Sequence, residues 1–415
     1  MTGLADEREA EADPGPWVVR EGALKGIRVL DLTRILSGPF ASMILADLGA
    51  DVIKIEDTKG GDDTRHWGPP FQGDDAAYFH AVNRNKRSLA VDLKSEAGRG
   101  LVLRLADSAD VVLENFRPGA AERLGLGYET LAARNPPLVY GSVSGYGHSG
   151  PMSERAGYDA IAQAMSGVMS VTGARDGEAV RYGVAGADLG AGMWVVIGVL
   201  SALWSRDRTG RGQHVDVSLL DGQVSWLTYV AQGFFATGET PRRYGSAHPN
   251  IVPYQGFSTG DGDVMVAVGN DGLWRRFAPV LGLDDLVDDP RFATNPARVA
   301  NRDVLLPLVE KAFAARSATE WVDLLTAAGV PVGPIHTVDE ALRHPQLLAR
   351  DMVVDLPHPV EGTIRTLGSP LKLSGTPTTL RHASPTQGQH TAEILAGLGL
   401  GQDVIARMVD EGTVR

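Results

Sequence analysis

The sequence contains no cysteine among its 415 residues. This absence excludes disulfide bonds, thiolate zinc sites, iron–sulfur clusters and a cysteine nucleophile, and it is typical of a reducing compartment. Positive charge is also scarce, because 39 lysines and arginines stand against 51 acidic residues, for a net charge of −12. We therefore expect no nucleic-acid partner and no anionic membrane partner, and an anionic ligand needs a local basic cluster.

A membrane-length hydrophobic run and a secretion signal are missing as well. The longest uncharged stretch, residues 189–205, is slightly short for a membrane span, so we predict a buried helix there. The acidic segment 1–22 has no basic region followed by an apolar one. We interpret it as a tail, not as a signal peptide, and expect a cytoplasmic protein.

The first half of the sequence alternates between strand-like and helix-like segments. A strand-like run at 26–32 precedes a helical segment that has Pro39 in its first turn and Gly49 at its end, and a second strand-like run follows at 50–56. A β–α–β unit this short implies parallel strands joined by a right-handed crossover. The alternation continues, so we predict an α/β domain whose mostly parallel sheet is covered on both faces.

The pattern changes after about residue 225. The stretch 250–271 has two strand-like runs around the turn "TGDG", which predicts an antiparallel hairpin within a smaller α+β domain. Further strand-like runs and C-terminal helices are expected to rejoin the first domain. The predicted layout is an acidic tail at 1–22, a large domain at 23–222, a small domain at 223–328 and a return to the large domain at 329–415.

The segment "GYGHSG", residues 145–150, matches the dinucleotide-binding pattern G-x-G-x-x-G. Pro151 and a polar stretch follow it in place of an apolar helix face, and no strand ending in an acidic residue comes about twenty residues later. We predict a loop of turn residues here, and a nicotinamide- or flavin-dependent oxidoreductase is the alternative. The histidines do not cluster at metal-ligand spacing, so no metal site is predicted.

Basic and polar residues follow several of the predicted strands. The first β–α turn, "TRILSG", offers Ser37 and backbone N–H groups beyond the carboxyl end of a strand, where ligands bind in α/β sheets. The segment "ENFRPGAAERLG" carries Arg117 and Arg123, while Lys94 and the segment 83–88 add positive charge. This group suits a phosphorylated ligand, and ordinary solvation on loops is the alternative.

A lone carboxylate, Asp188, stands in the glycine-rich stretch "VAGADLGAGMW" at the start of a predicted helix. We expect the helix dipole and the free N–H groups to lower the pKa of Asp188. Gly186, Gly190 and Gly192 are expected to leave space for a substrate beside it. An ionised and uncrowded carboxylate is able to act as a covalent nucleophile, and a helix N-cap is the alternative.

Taken in order, these segments resemble the family III CoA-transferases, which include formyl-CoA transferase and carnitine CoA-transferase. Several motifs match over residues 24–221 nearly without gaps, with weaker likeness toward the C-terminus. The matching stretches are "LKGIRVLDLTRILSGPFASMILADLGADVIKIE", "YFHAVNRNKRSLAVDLKS", "ADVVLENFRPGAAERLGLGYETL", "RAGYDAIAQAMSGVMSVTG" and "GADLGAGMWVVIGVLSALWSRDRTGRGQHVDVSLLD".

The resemblance implies transfer of CoA from an acyl-CoA to a free carboxylic acid through a covalent aspartyl intermediate. The family's nucleophile falls on Asp188, and CoA is a substrate, so no cofactor is implied. The arginines would meet the phosphates of CoA and Phe116 its adenine. The family's CoA-binding positions fall on Leu36, Ser37, Lys94, Asn115, Phe116, Arg117 and Arg123.

The resemblance also implies a large Rossmann-like domain made of both termini, a small α+β domain in the middle and an interlocked homodimer. The second subunit's small domain completes the acyl site in such dimers. Formyl-CoA transferases have Gln where this chain has Leu36 and a glycine-rich lid where it has "GSAHPN". These departures disfavour formate and oxalate and favour succinyl-CoA and other dicarboxylates, with Tyr158, His248 and Asn250 as candidate acyl-pocket residues.

The alternative within the same fold is an α-methylacyl-CoA racemase. Such enzymes need a proton donor–acceptor on each face of the α-carbon, and Tyr158 in "AGYD" stands where their imidazole would be. A phenol with a pKa of about 10 is a poor base at neutral pH, which favours transfer. A non-catalytic CoA-binding or scaffold protein is the alternative from another class.

Overall fold

The computed structural model describes residues 15–415, so most of the predicted tail, 1–22, lies outside the described residues. The described chain forms two compact units. The predicted small domain, 223–328, lies largely in the second unit. The first unit comprises 15–166, 183–228 and 346–415, and the second comprises 167–182 and 229–345.

Strands and helices alternate through the first part of the described chain. The strands are β1 (Arg28–Asp31), β2 (Asp51–Glu56), β3 (Phe71–Gln72), β4 (Asp75–Ala76), β5 (Lys86–Ala90), β6 (Val111–Glu114), β7 (Val139–Ser144), β8 (His214–Ser218), β9 (Tyr254–Ser258), β10 (Asp263–Ala267), β11 (Val332–Pro334), β12 (Val353–His358) and β13 (Gly362–Leu367). The helices are α1 (Ser37–Asp47), α2 (Ala77–Val82), α3 (Glu96–Ala106), α4 (Ala120–Arg123), α5 (Tyr128–Arg134), α6 (Asp159–Met165), α7 (Val168–Val171), α8 (Gly186–Thr209), α9 (Leu219–Ser225), α10 (Thr228–Thr237), α11 (Asp271–Val280), α12 (Asn295–Ala300), α13 (Arg302–Phe313), α14 (Ala318–Ala327), α15 (Val338–Leu342), α16 (Pro345–Leu348), α17 (Thr391–Gly397) and α18 (Gln402–Asp410).

A six-stranded parallel sheet in the order β5-β2-β1-β6-β7-β8 forms the centre of the first unit. Successive residues of β1 enter different hydrophobic clusters, because side chains alternate between the two faces of a strand. Leu30 packs with residues of α3, α17 and α18, whereas Val29 packs with residues of α1 and α8. The prediction of an α/β fold with a parallel sheet covered on both faces is confirmed.

The sequence suggested that the basic segment at 83–88 lies with Arg117 and Arg123 at the carboxyl edge of the sheet, and the structure places it elsewhere. Arg84 is buried against Asp47, Arg87 is buried against Asp51, and Lys86 is buried as well. Buried charges require partners of this kind, because desolvation of an unpaired ion is costly. Since β5 begins at Lys86, these ion pairs lie at the amino edge of the parallel sheet, opposite the edge where ligands bind in such folds.

The second unit has an antiparallel sheet in the order β11-β10-β9. The hairpin predicted within 250–271 is confirmed, because β9 and β10 pair around the turn that follows Ser258. One face of this sheet packs on α11, α13 and α14 through a core that includes Trp274, Phe277, Phe313 and Trp321.

Helix α8 contains the stretch 189–205, and the prediction of a helix there is confirmed. In the described chain it is the one helix long and apolar enough to cross a membrane by length and composition alone. The prediction of a buried helix is confirmed for one face of α8, and the other face is exposed. Val195 and Val199 lie in the core of the first unit, whereas Ile197 is 53% exposed and Trp204 is 66% exposed.

Candidate active site

A cavity of about 170 Å³ opens in the first unit beyond the carboxyl ends of β1, β6 and β7. Parallel α/β sheets bind ligands at this edge, where each strand turns into the following loop or helix. The walls come from the loops after these strands and from the beginnings of α6 and α8. The lining residues are 34–37, 115–118, 143–145, 155–159, Asp188 and Leu219.

The turn after β1 has an unusual backbone that buried charges hold in place. Ile35 has φ of +73°, a left-handed conformation that a β-branched residue rarely adopts. Its N–H donates to both carboxylate oxygens of Asp62 at 3.3 Å, and Asp62 pairs with Lys54 at 2.9 Å. Lys54 in turn donates to the carbonyl oxygen of Thr33 at 2.8 Å. Although burial opposes it, the charge of Lys54 lowers the pKa of Asp62 to about 2.

The loops after β1 and β6 are joined by a reciprocal pair of hydrogen bonds. The N–H of Arg34 donates to Oδ1 of Asn115 at 2.8 Å, and Nδ2 of Asn115 donates to the carbonyl oxygen of Arg34 at 2.7 Å. The guanidinium of Arg34 also lies over the ring of Phe116, 5.9 Å from its centre. These contacts make one continuous wall of the cavity, and they use the amide group of Asn115 to hold the two loops together.

Asp188 lies in the first turn of α8, and it is not the cap of that helix. The N–H groups of Ala187 and Asp188 donate to Oδ1 of Asp159 at 2.8 and 3.3 Å, so Asp159 satisfies the N-terminal groups that a cap would satisfy. The N-cap alternative for Asp188 is therefore wrong. The Asp188 carboxylate accepts no hydrogen bond and meets no cation within residues 15–415, and it lines the cavity.

Burial, with the neighbouring charge of Asp159, raises the pKa of Asp188 to about 7. The predicted lowering of this pKa is wrong, because desolvation and a like charge outweigh the attraction of the helix N-terminus. Tyr78 belongs to the same electrostatic group: burial, followed by the charges of Asp188 and Asp159, raises its pKa to about 12. Its phenol therefore keeps its proton at neutral pH.

The prediction that the glycines near Asp188 leave space for a substrate is wrong for two of them, which serve helix packing. A Cβ at Gly190 would lie 2.7 Å from the ring of Trp226, and one at Gly192 would lie 2.7 Å from the carbonyl oxygen of Ser37. Their missing side chains let α8 approach these groups closely. Gly192 thereby fixes the distance between α8 and the turn that carries Ser37.

The structure brings most of the sequence candidates together. Those that line the cavity are Leu36, Ser37, Asn115, Phe116, Arg117, Tyr158 and Asp188. Lys94 and Arg123 are exposed and are not part of this lining. His248 and Asn250 lie in the second unit.

Sequence reasoning missed Arg34, Arg155, Asp159 and Tyr78. Asp159 follows Tyr158 directly in "AGYD", so the motif itself was the available signal. Arg34 lies in the turn "TRILSG", in which only Leu36 and Ser37 were predicted to bind the ligand. Nothing in the local sequence marks Tyr78, because its effect depends on charges distant in the chain.

The described residues 15–415 contain neither a dinucleotide-binding turn at 145–150 nor a cluster of metal-ligating side chains. Residues 145–150 form a loop of bends after β7 and open no helix, so the predicted loop is confirmed. Within the described part of the chain, no group of three or more histidine, aspartate or glutamate side chains is placed to hold a metal ion.

Comparison with known proteins agrees with the resemblance seen in the sequence. The family model described as CoA-transferase family III matches residues 24–391. A succinate–glutarate CoA-transferase of Agrobacterium fabrum is 45% identical over 91% of this chain and 96% of its own length. A succinyl-CoA:glutarate CoA-transferase of Mus musculus is 43% identical over 90% of this chain and 85% of its own. The crystal structure of a CaiB/BaiF family protein from Brucella suis superposes with a TM-score of 0.82 at 46% identity, covering 91% of this chain and all of that one. The chain belongs to CoA-transferase family III.

Proposed function

We propose that this enzyme transfers CoA from succinyl-CoA or a similar acyl-CoA to a free carboxylic acid through a covalent intermediate on Asp188. The observation that carries the proposal is the Asp188 carboxylate, unpaired within the described chain and facing the cavity lined by 34–37 and 115–118. The name of the Mus musculus relative supports succinyl-CoA as donor, and the names of both this relative and the one from Agrobacterium fabrum support a dicarboxylic acid as acceptor.

The proposed reaction proceeds by four successive acyl transfers. An Asp188 carboxylate oxygen attacks the thioester carbonyl, which forms a mixed anhydride and releases the CoA thiolate. The thiolate attacks the aspartyl carbonyl, forms an aspartyl-CoA thioester and releases the donor acid. The acceptor carboxylate then attacks that thioester, and the freed thiolate finally attacks the acceptor carbonyl. The acceptor leaves as its CoA ester and Asp188 is restored.

We propose that CoA lies along the wall made by the loops after β1 and β6. Arg34, Arg117 and Arg155 line the cavity and supply charge-assisted donors for phosphate oxygens. Phe116, already beside the Arg34 guanidinium, offers an apolar face to the adenine. Lys94 and Arg123, exposed outside the lining, would meet the more distant phosphate of this long substrate.

For the acyl group we propose that His248 and Asn250 bind the far carboxylate and that Tyr158, which lines the active-site cavity, contacts the acyl chain. His248 stacks against Tyr229 and Tyr254, with ring centres 5.4 and 5.5 Å away. Its Nδ1 accepts from the backbone N–H of Asn250 at 3.0 Å, which leaves the proton of the neutral ring on Nε2 as a donor. A histidine held in this way suits recognition of a carboxylate.

We also propose that the enzyme is a homodimer in the cytoplasm and that the partner supplies this acyl-binding segment. The exposed apolar residues of α8, of α9 and of the position directly after α9 support a partner surface, since monomers rarely expose large apolar patches. They are Met193, Trp194, Ile197, Trp204, Val224 and Trp226. A second copy of the chain is the occupant that the family fold favours.

The substitution Asp188→Asn tests the proposed function directly. The variant should lose exchange of CoA between succinyl-CoA and a dicarboxylic acid, while succinyl-CoA still binds, as measured by calorimetry. Exchange at the wild-type rate would rule out Asp188 as nucleophile.

The racemase alternative is tested by incubation of the enzyme with an acyl-CoA in heavy water. A racemase incorporates solvent deuterium at the α-carbon of the acyl-CoA without any acceptor acid, and a transferase does not.

A further inference from the structure

A second cavity, of about 380 Å³, lies in the first unit at the amino edge of the main sheet. Its walls come from the start of β5 at Lys86 and Arg87, the end of β12, the segment 382–390 and Arg20. The candidate active site lies beyond the carboxyl ends of the same parallel sheet, so the two cavities are separate. The volume is within the range of small-molecule pockets.

Histidine N–H donors line this second cavity. His358 is only 6% exposed, and its Nδ1 accepts from the backbone N–H groups of Val360 and Glu361 at 3.3 and 3.0 Å. The proton of the neutral ring is therefore on Nε2, which is buried without a partner. The Nδ1 of His390 likewise accepts from the N–H of Ser88 at 3.2 Å, so the proton of this half-buried neutral ring is also on Nε2. A buried donor without an acceptor calls for a ligand that supplies one.

The charge of the lining is also unbalanced. The Arg87 guanidinium is neutralised by ion pairs with Asp51 and Glu393, and Glu393 is the one acid among the lining residues. Arg20 has no acidic partner in the part of the chain that the structure describes, and its charge acts on His382, whose pKa burial and then Arg20 lower. The cavity therefore presents an uncompensated guanidinium together with two imidazole N–H groups.

We propose that this cavity binds a small phosphate-type oxyanion, with Arg20 as the counter-charge and His358 and His390 as hydrogen-bond donors. An oxyanion of this kind has several acceptor oxygens and a charge that matches a guanidinium. The proposal does not depend on the proposed function, because none of these residues lines the active-site cavity.

Titration of the full-length enzyme with inorganic phosphate, followed by calorimetry, tests the proposal. Wild type should bind phosphate saturably, Arg20→Ala should bind it at least about tenfold more weakly, and Arg211→Ala, at an exposed arginine outside both cavities, should bind it as wild type does. Absence of saturable binding would overturn the proposal, as would a loss caused by Arg211→Ala and not by Arg20→Ala.

A second readout locates the ion. In spectra of enzyme carrying ¹⁵N-labelled histidine, phosphate should shift the Nε2 signals of His358 and His390 and leave that of His248 unchanged. The assignment comes from His390→Phe, which keeps a ring of similar shape without the donor and should remove one shifted signal. Equal shifts at all histidines, or none, would contradict a localised site.

Discussion

At the residue scale, the neighbouring acids Asp159 and Asp188 have different roles. Asp159 accepts hydrogen bonds from the first N–H groups of α8 and keeps the helix start satisfied. Its charge also adds to burial in raising the pKa of Asp188 to about 7. A nucleophile with a raised pKa is a stronger one once it is ionised, and at neutral pH a large fraction of Asp188 is ionised.

This arrangement predicts how Asp159→Asn changes the pH profile. An asparagine oxygen still accepts from Ala187, but the negative charge is gone, so the pKa of Asp188 should fall. In wild type kcat/KM should decrease as pH drops below about 7, and in the variant this limb should move lower by on the order of one pH unit. The exposed acid substitution Glu154→Gln should leave the limb in place. An unmoved limb in Asp159→Asn would remove Asp159 as the cause.

The raised pKa also makes a prediction about stability. Because the folded state holds the Asp188 proton more tightly than the unfolded state, stability is fully present below a pH of about 4 and falls as the pH rises through 7. Asp188→Asn should therefore increase the free energy of unfolding by about 2–4 kcal/mol at pH 8 and change it little at pH 4. Denaturant titrations at both pH values measure the difference. A variant no more stable than wild type at pH 8 would contradict the view that the buried Asp188 carboxylate destabilises the fold when it is ionised.

At the element scale, the site depends on how closely α8 approaches the turn after β1. Gly192 allows that approach, and the Lys54–Asp62 pair holds the turn in the left-handed conformation at Ile35. Backbone strain of this kind persists only where the surroundings enforce it. The position of the proposed CoA-binding turn is therefore set by buried residues that do not contact the ligand.

Substitution of Gly192 by alanine tests this dependence. The new Cβ would lie 2.7 Å from the backbone oxygen of Ser37, which has little freedom to move. We expect a loss of about 1–3 kcal/mol in stability and a higher KM for the acyl-CoA. Gly100→Ala in α3 is the matched control, since nothing lies within 4 Å of its added Cβ and alanine favours a helix. Equal behaviour of the two variants would contradict the packing role.

At the scale of the whole molecule, the features that could be predicted from the sequence are those that depend on local residue patterns. Strand-like runs separated by helices implied the parallel sheet, and the turn "TGDG" implied the hairpin. The sequence could not predict which charges are buried, because Arg84 and Arg87 meet Asp47 and Asp51 only after folding brings distant segments together. The pKa of Asp188 was mispredicted for the same reason, since its burial and its neighbour Asp159 are both non-local.

The proposed homodimer predicts the mass in solution. Sedimentation should give twice the chain mass of 44.1 kDa, and Ile197→Glu should weaken the dimer because it puts a charge on the exposed apolar face of α8. Val409→Glu, at an exposed valine on α18, is the control and should leave the mass unchanged. A wild-type mass of one chain would contradict the dimer, and an unchanged mass in folded Ile197→Glu would place the interface elsewhere.

Transfer of labelled oxygen reports directly whether Asp188 becomes acylated during turnover. The acceptor acid, labelled with ¹⁸O in its carboxylates, is incubated with enzyme and succinyl-CoA, and the protein is then digested with trypsin. Acylation of Asp188 predicts heavy oxygen in the Asp188 side chain of peptide 182–206 and none in the Asp159 side chain of peptide 156–175. Turnover with no label in peptide 182–206 would contradict it.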